Sequence, residues 1–396
     1  MMIKLQLLYS DIFFFIFILG LSLFFFWARR REYYRQACGR IVSNKRAVFF
    51  FAVVCLYGLI ALLDSIHYRE ALRQENGAAL KDKDGQMVYG RMTSLLDILF
   101  LKSYSGIKQD GEMAVNLEKS YSRPFAAKSF DPVYERDEAT GKMVSVYEGL
   151  NKPGSHILGT DKAGGDLFYK LVKGIRTAII VGLVTTMIVI PFAIFFGILS
   201  GYFGGRIDDL IQFFYITLGS IPSILLISGM MIIVRAKITA VTASDVYLRD
   251  DSIVLFLCAI LGLVGWSGLC RLLRAETIKI KELDYVKAAR AMGVNDFVII
   301  GRHILPNVLH VILITSILQF SGLVMVEAIL AYIRIGVPST VESWGRIVDG
   351  ARAQLGRDPI VWWPVLGAFF FMFFLILSIN VFGDALRDAL DPKLRS

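Results

Sequence analysis

The chain has 396 residues, of which 55% are hydrophobic and 19% charged, against about 25% charged residues in soluble domains. That composition excludes an ordinary soluble protein and points to one integral to a membrane. The formal net charge of +9 does not imply nucleic acid as a partner, because Lys and Arg concentrate beside apolar stretches, where anionic headgroups attract them.

A helix needs about 20 apolar residues to cross the hydrocarbon core. Windows of that kind lie at residues 5–27, 47–64, 178–203, 211–234, 253–270, 307–332 and 360–383, which gives about seven transmembrane helices. The first is followed, not preceded, by its charged flank and has no small-residue cleavage site, so it reads as a retained anchor rather than a signal peptide. Asp11 within it is expected at a helix end. Between the first two windows runs ARRREYYRQACGRIVSNKR, where Arg29, Arg30, Arg31, Arg35, Arg40, Lys45 and Arg46 face Glu32 alone. Short basic loops stay in the cytoplasm. Residues 1–46 are therefore expected to be an extra N-terminal anchor with a basic cytoplasmic loop, and residues 47–64 the next helix. Residues 65–177 then lie outside, 178–383 form a multi-span core with an inner loop at 271–306, and 384–396 form a cytoplasmic tail. Pro191 and Pro222 fall inside the third and fourth windows and are expected to kink them. Cys38, Cys55, Cys258 and Cys270 show neither a disulfide framework nor metal-ligand spacing.

The outer region alternates turn residues with short apolar strings, as in KDKDGQMVYGRM and ERDEATGKMVSVYEG, a pattern of small strands or irregular structure. It closes with HILGTDKAGGDLFYKLVKGIRTAI, His156–Ile179. The order of a phosphate-binding G-x-x-x-x-G-K-[ST] loop is absent, and Asp161 and Asp166 do not have the spacing of a calcium loop. Gly159, Gly164 and Gly165 are expected to shape the turn that leads into the third span.

The inner loop carries DYVKAARAMGVNDFVIIGRHILPN, Asp284–Asn307. Asp284 to Met292 are tolerable helix formers, and Ala288, Ala289 and Ala291 leave little bulk on one side, so another backbone can come close. Gly293 suits a left-handed C-terminal cap, and Asn295 or Asp296 can cap a second short helix on which Phe297, Ile300 and Ile304 recur. Pro306 is expected to break that helix just before the sixth span. Lys287, Arg290 and Arg302 form a charged rim.

KAARAMG followed by RHILPN resembles the EAA loop of permease subunits in binding-protein-dependent ABC importers of the dipeptide, oligopeptide and nickel group. The His156–Ile179 segment resembles the H-x-L-G-T-D-x-x-G-R-D lead-in of the C-type permease of that group, and NVFGDALRDALDPKLRS resembles its C-terminal ending. The likeness covers roughly residues 150–396. It departs at Lys287, where the pattern has Glu, at Gly165, where it has Arg, and at YIRIG, residues 332–336. The resemblance implies an all-α membrane protein with the type I, MetI-like permease fold and a mixed extracytoplasmic loop region. It implies one half of a pore for di- or oligopeptides in the inner membrane of a bacterium. The partners implied are a homologous permease, two ATP-binding cassette ATPase subunits, an extracytoplasmic binding protein and membrane lipid. A nickel or other small-solute importer is the alternative within the group. ATP and Mg are expected on the ATPases, since this chain carries no Walker A sequence and no catalytic set. Asp284, Tyr285, Lys287, Ala288, Ala289, Arg290, Ala291, Met292, Gly293, Arg302 and Pro306 are then the candidates for coupling to the ATPase.

Glu327, in the sixth span, is a candidate for the pore or a subunit interface, or else for snorkelling to the outer surface; Pro222 is a second pore or interface candidate. His67, His156, His303 and His310 are scattered and do not form a ligand set. A secondary transporter, the rival from another class, needs paired ionisable residues at mid-membrane and internal symmetry, neither of which is evident.

Overall fold

The computed structural model describes residues 3–30, 32–71, 87, 89–107, 113–115, 118–136, 143–241 and 245–390. In chain order come β1 (Ile3–Gln6), α1 (Tyr9–Arg29), α2 (Glu32–Ser43), α3 (Lys45–Asp64), β2 (His67–Ala71), β3 (Tyr89–Ser94), α4 (Leu95–Tyr104), β4 (Ser105–Ile107) and β5 (Met113–Val115). There follow β6 (Val133–Arg136), β7 (Met143–Val146), α5 (Leu167–Phe203), α6 (Gly205–Gly219), α7 (Ser223–Val241) and α8 (Val246–Lys281). The last are α9 (Asp284–Ala291), α10 (Asp296–Ile299), a π-helical turn (Ile300–Ile304), α11 (Leu305–Tyr332), α12 (Trp344–Arg352) and α13 (Trp363–Leu390).

Among the described residues six helices are long and apolar enough to cross a membrane: Lys45–Asp64, Leu167–Phe203, Ser223–Ala240, Val246–Lys281, Asp296–Tyr332 and Trp363–Ala389. α1 adds a shorter apolar stretch, Tyr9–Leu23. The expected fourth span, 211–234, is not one helix. α6 stops at Gly219 and α7 starts at Ser223, so Pro222 lies between helices and kinks neither. The backbone explains this: proline disfavours helical geometry in the residue before it, and its carbonyl then accepts the Leu226 N–H at 3.1 Å to open α7. Pro191, by contrast, stays inside α5.

The chain folds as two compact units. The first comprises Met1–Ile12, Leu56–Ile179 and Glu327–Phe374. Here β1, β2 and β3 form an antiparallel sheet with Ile3 opposite Glu70 and His67 opposite Ser94, while β4–β5 and β6–β7 form two separate hairpins. Trp344 and Trp363 are almost fully buried. Each satisfies its indole N–H as burial requires, Trp344 on the Leu171 carbonyl at 2.9 Å and Trp363 on the Thr160 carbonyl at 3.1 Å. Gly174 makes room for the first, since a Cβ there would come within 2.9 Å of the Trp344 ring.

The second unit comprises Phe13–Cys55, Ile180–Val326 and Leu375–Ser396. Its core brings residues of α5, α6, α8, α9, α10 and α11 together, among them Tyr202, Trp266, Leu273, Val286, Ala289, Ile299 and Ile304. α5 carries Gly197 and Gly201 one turn apart, the small-residue spacing that lets helices approach closely in lipid. A Cβ at Gly197 would meet the Cys270 carbonyl oxygen at 2.8 Å, and one at Gly201 the Arg274 carbonyl oxygen at 2.7 Å. The two backbones are thus in contact, which only glycine permits.

Candidate functional site

α9 opens after Leu283 and presents two sides. Val286 and Ala289 are buried in the second unit's core, whereas Asp284, Tyr285, Lys287, Ala288, Arg290, Ala291 and Met292 are exposed. The inward stripe therefore includes Ala289, which is not available to an outside partner. The small face that remains open is Ala288 and Ala291, flanked by Tyr285 and Met292. Spacing alone does not reveal this phase, because three alanines within four residues look alike until a core claims one.

The reversal after α9 has the hydrogen bonds of a Schellman turn. The Gly293 N–H donates to the Arg290 carbonyl at 3.0 Å and the Val294 N–H to the Ala289 carbonyl at 3.2 Å, with Gly293 at φ 78°. The Asn295 side chain then caps α10 by accepting the Phe297 N–H at 2.9 Å. Both features follow the residues that signalled them.

The next step departs from expectation. Pro306 does not break the helix: α10 passes through the π-helical turn into α11, and Asp296–Tyr332 runs as one helix. A π turn bonds i to i+5 and takes up one extra residue. Proline removes an N–H and crowds the carbonyl four residues back, so a turn already out of α-register just before it avoids the clash. The same turn puts Ile299 and Ile304, five apart and both fully buried, on the inner side. Phe297 is exposed.

Polar contacts tie this loop to the helices behind it. The Tyr202 hydroxyl donates to Asp296 Oδ1 at 2.5 Å, and the Arg290 guanidinium lies 5.8 Å from the Tyr202 ring centre. Asn307 Nδ2 donates to the Tyr285 hydroxyl at 3.0 Å and to the His303 carbonyl at 2.6 Å. Lys287 pairs with Glu282 at 2.9 Å, which raises the ammonium's pKa and lowers the carboxyl's. Arg302 and Pro306 are exposed. Behind the loop, Arg274 donates to both oxygens of Asp208 at 2.6 Å each and, with a further bond from Ser200, holds that carboxyl below the usual range. Tyr202, Asp208 and Arg274 gave no local signal, since their partners are 66 to 94 residues away.

In the first unit Glu327 is 1% exposed. One carboxylate oxygen accepts the Ser343 hydroxyl at 2.7 Å and the other, Oε2, has no protein partner. Ser343 stands at the cap of α12 but makes no side-chain cap bond, its hydroxyl being committed to Glu327. The acid points inward, so the snorkelling reading fails. Pro222 is exposed. Among the described residues no group of three or more His, Cys, Asp or Glu side chains could hold a metal ion.

The lead-in segment is organised around His156. Its Nδ1 lies 2.8 Å from Asp166 and its Nε2 3.3 Å from Glu118. Glu118 also accepts the Asn151 and Lys152 N–H groups at 2.8 and 3.1 Å. The hydrogen bond to Asp166, with further support from Glu118, raises the His156 pKa against the opposing effect of burial. A raised folded-state value means that the protonated ring stabilises the fold. That stabilisation is complete below about pH 6.5, the ordinary histidine value, and is lost as pH rises through the folded-state value. The thermal midpoint of the purified protein is accordingly expected to fall on going from pH 6 to pH 9, more than in His156→Gln. Parallel curves for the two proteins would contradict it.

Comparison with known proteins places this geometry. Residues 193–396 match the family described as binding-protein-dependent transport system inner membrane component. The oligopeptide transport system permease protein OppC of Haemophilus influenzae is 34% identical over 242 residues, which are 61% of this chain and 72% of the relative. OppC of Bacillus subtilis is 29% identical over 270 residues, 67% of this chain and 81% of the relative. The dipeptide transport system permease protein DppC of Bacillus subtilis is 28% identical over 249 residues, 63% and 72% of the two chains. Among solved structures, an inward-facing methionine ABC transporter, MetNI, covers 57% of this chain and 98% of its own at a TM-score of 0.41 and 17% identity, a likeness that carries no weight on its own. The chain belongs to the family of binding-protein-dependent transport system inner membrane components, as a multi-pass permease subunit and not an enzyme.

Proposed function

We propose that this chain is half of the transmembrane pore of an ATP-driven importer of di- or oligopeptides, and that α9 with its Schellman turn couples it to a cytoplasmic ATPase. The observation that carries the coupling is the exposed small-residue face at Ala288 and Ala291, held in place by a core that already contains Val286 and Ala289. A partner that closes on ATP and pulls on such a face moves α8, α10 and α11 with it. Peptide as the substrate rests on the likeness to oligopeptide and dipeptide permeases. A homologous permease supplies the other half of the pore, two ATPases hold ATP and Mg, and a binding protein delivers peptide to the outer side. In this reading residues 28–46, 271–306 and 384–396 face the cytoplasm, of which 31 and 391–396 lie outside the described residues. Residues 65–177 face outward, and the part up to 150, of which 72–86, 88, 108–112, 116–117 and 137–142 lie outside the described residues, contacts the binding protein or shields the pore mouth. Glu327, enclosed within the chain against Ser343, supports the pore or the subunit interface from behind rather than lining it.

The test is uptake by the complete importer in vesicles, with ATP inside and binding protein outside. ATP-dependent accumulation of a labelled tri- to pentapeptide is expected. Accumulation of nickel with no peptide uptake would replace peptide by a small solute, and uptake driven by a proton gradient without ATP would overturn the reading.

A further inference from the structure

α2 lies outside the family match, and the sequence gives it only the general attraction of basic residues to a membrane surface. It is bounded by α1 and α3, both apolar, and in the topology proposed above, on which this inference rests, its two ends lie at the cytoplasmic face. Its inner side is occupied: Ala37 is buried with Ala389 of α13, and Ile41, Leu313 and Leu386 pack around them. The corner into α3 is set by Asn44, whose side chain accepts the Arg46 and Ala47 N–H groups at 3.1 and 3.3 Å. With that side taken, the cations have a fixed presentation. Arg35 and Arg40 on α2, Arg29 and Arg30 before it, and Lys45 and Arg46 after it are all exposed, and Glu32 is the one acid among the described residues of this stretch.

We propose that α2 and its flanks bind anionic phospholipid headgroups, with Arg35 and Arg40 donating to headgroup phosphates. Charge complementarity and placement argue for lipid. The platform carries six exposed cations and one acid, and its ends are tied to the apolar helices α1 and α3. Guanidinium suits phosphate oxygens geometrically, and each cation held near an anionic surface strengthens attachment roughly fivefold. Because the inner side of α2 rests on the end of α13, bound lipid also holds that helix end in place.

The test uses the complete importer in vesicles of phosphatidylcholine with phosphatidylglycerol, doped with a photoactivatable analogue of one or the other. Peptides from residues 32–43 are expected to carry phosphatidylglycerol adducts in preference to phosphatidylcholine adducts, and added salt is expected to reduce them, since the attraction is screened within about 10 Å at 0.1 M. The double variant Arg35→Gln, Arg40→Gln is expected to lose roughly 25-fold of the adduct, while Arg35→Lys, Arg40→Lys keeps most of it. Arg29, Arg30, Lys45 and Arg46 stay unchanged, so the charges that orient α1 and α3 remain. Equal labelling by the two lipids, salt-independent labelling, or full labelling of the glutamine variant would overturn the proposal. So would loss of the ATPase subunits from the glutamine variant with its adducts intact, which would assign the surface to a protein. If the glutamine variant fails to assemble, the lipid preference and salt dependence of the unaltered protein decide.

Discussion

Arg176→Ala is expected to destabilise the protein by about 3 to 5 kcal/mol, the usual cost of removing one partner of a buried ion pair. Asp11 in the first turn of α1 is fully buried and accepts from Arg176 Nη2 at 2.5 Å and Nε at 3.2 Å. Its second oxygen lies 3.1 Å from His67 Nδ1. The guanidinium also donates to Ser10 and Ser65 at 3.2 and 3.3 Å. Deleting the arginine leaves a buried carboxylate with His67 as its neighbour and no guanidinium. Thermal unfolding of the purified protein should show the loss, and Asp11→Leu combined with Arg176→Leu should recover much of it, because a pair of apolar residues does not strand a charge. Single variants as stable as the parent protein would show that the contact contributes nothing.

The second expected result separates two adjacent alanines. Ala288→Trp points outward, so the protein should keep its thermal stability and its partner permease while transport and the ATPase subunits are lost. Ala289→Trp points into the core beside Val286 and should cost about 1 to 3 kcal/mol by overpacking, whether or not the ATPase is present. Gly293→Val tests the turn that follows them. No atom lies within 4 Å of a Cβ placed there, so its cost is that of a β-branched residue at φ 78°, a backbone region such residues avoid. Co-purification of ATPase with each variant, measured beside its melting temperature, distinguishes the cases. Full transport by Ala288→Trp would remove coupling from this face of α9.

What the sequence showed in advance was local chemistry. Gly293 and Asn295 announce their turn because the left-handed region and the helix cap each select a few residue types, and the apolar runs announce their helices by length. What stayed hidden depends on distant partners. Arg176 and Asp11 are 165 residues apart, and Glu118, which holds His156, is 38 residues from it. Hydropathy merged α6 and α7 into one window because it does not register a missing N–H at Pro222. Pro306 misled in the opposite direction, since a π turn is a tertiary solution that no local preference encodes. Composition groups Ala289 with Ala288 and Ala291 for a similar reason: the side of a short helix that turns inward is set by the core it meets.

The buried pair at Asp11 has a consequence for how the protein is made. Ribosomes add roughly 5 to 20 residues per second, so α1 leaves the ribosome roughly 10 to 30 s before Arg176 follows, 165 residues later. Throughout that interval α1 carries an acid without its arginine, and the pair can close only once the start of α5, the second of the six long apolar helices, has been synthesised. Insertion of the first helix is thus completed from the middle of the chain, and a ribosome that stalls before residue 176 leaves behind an anchor that is still waiting for its counter-charge.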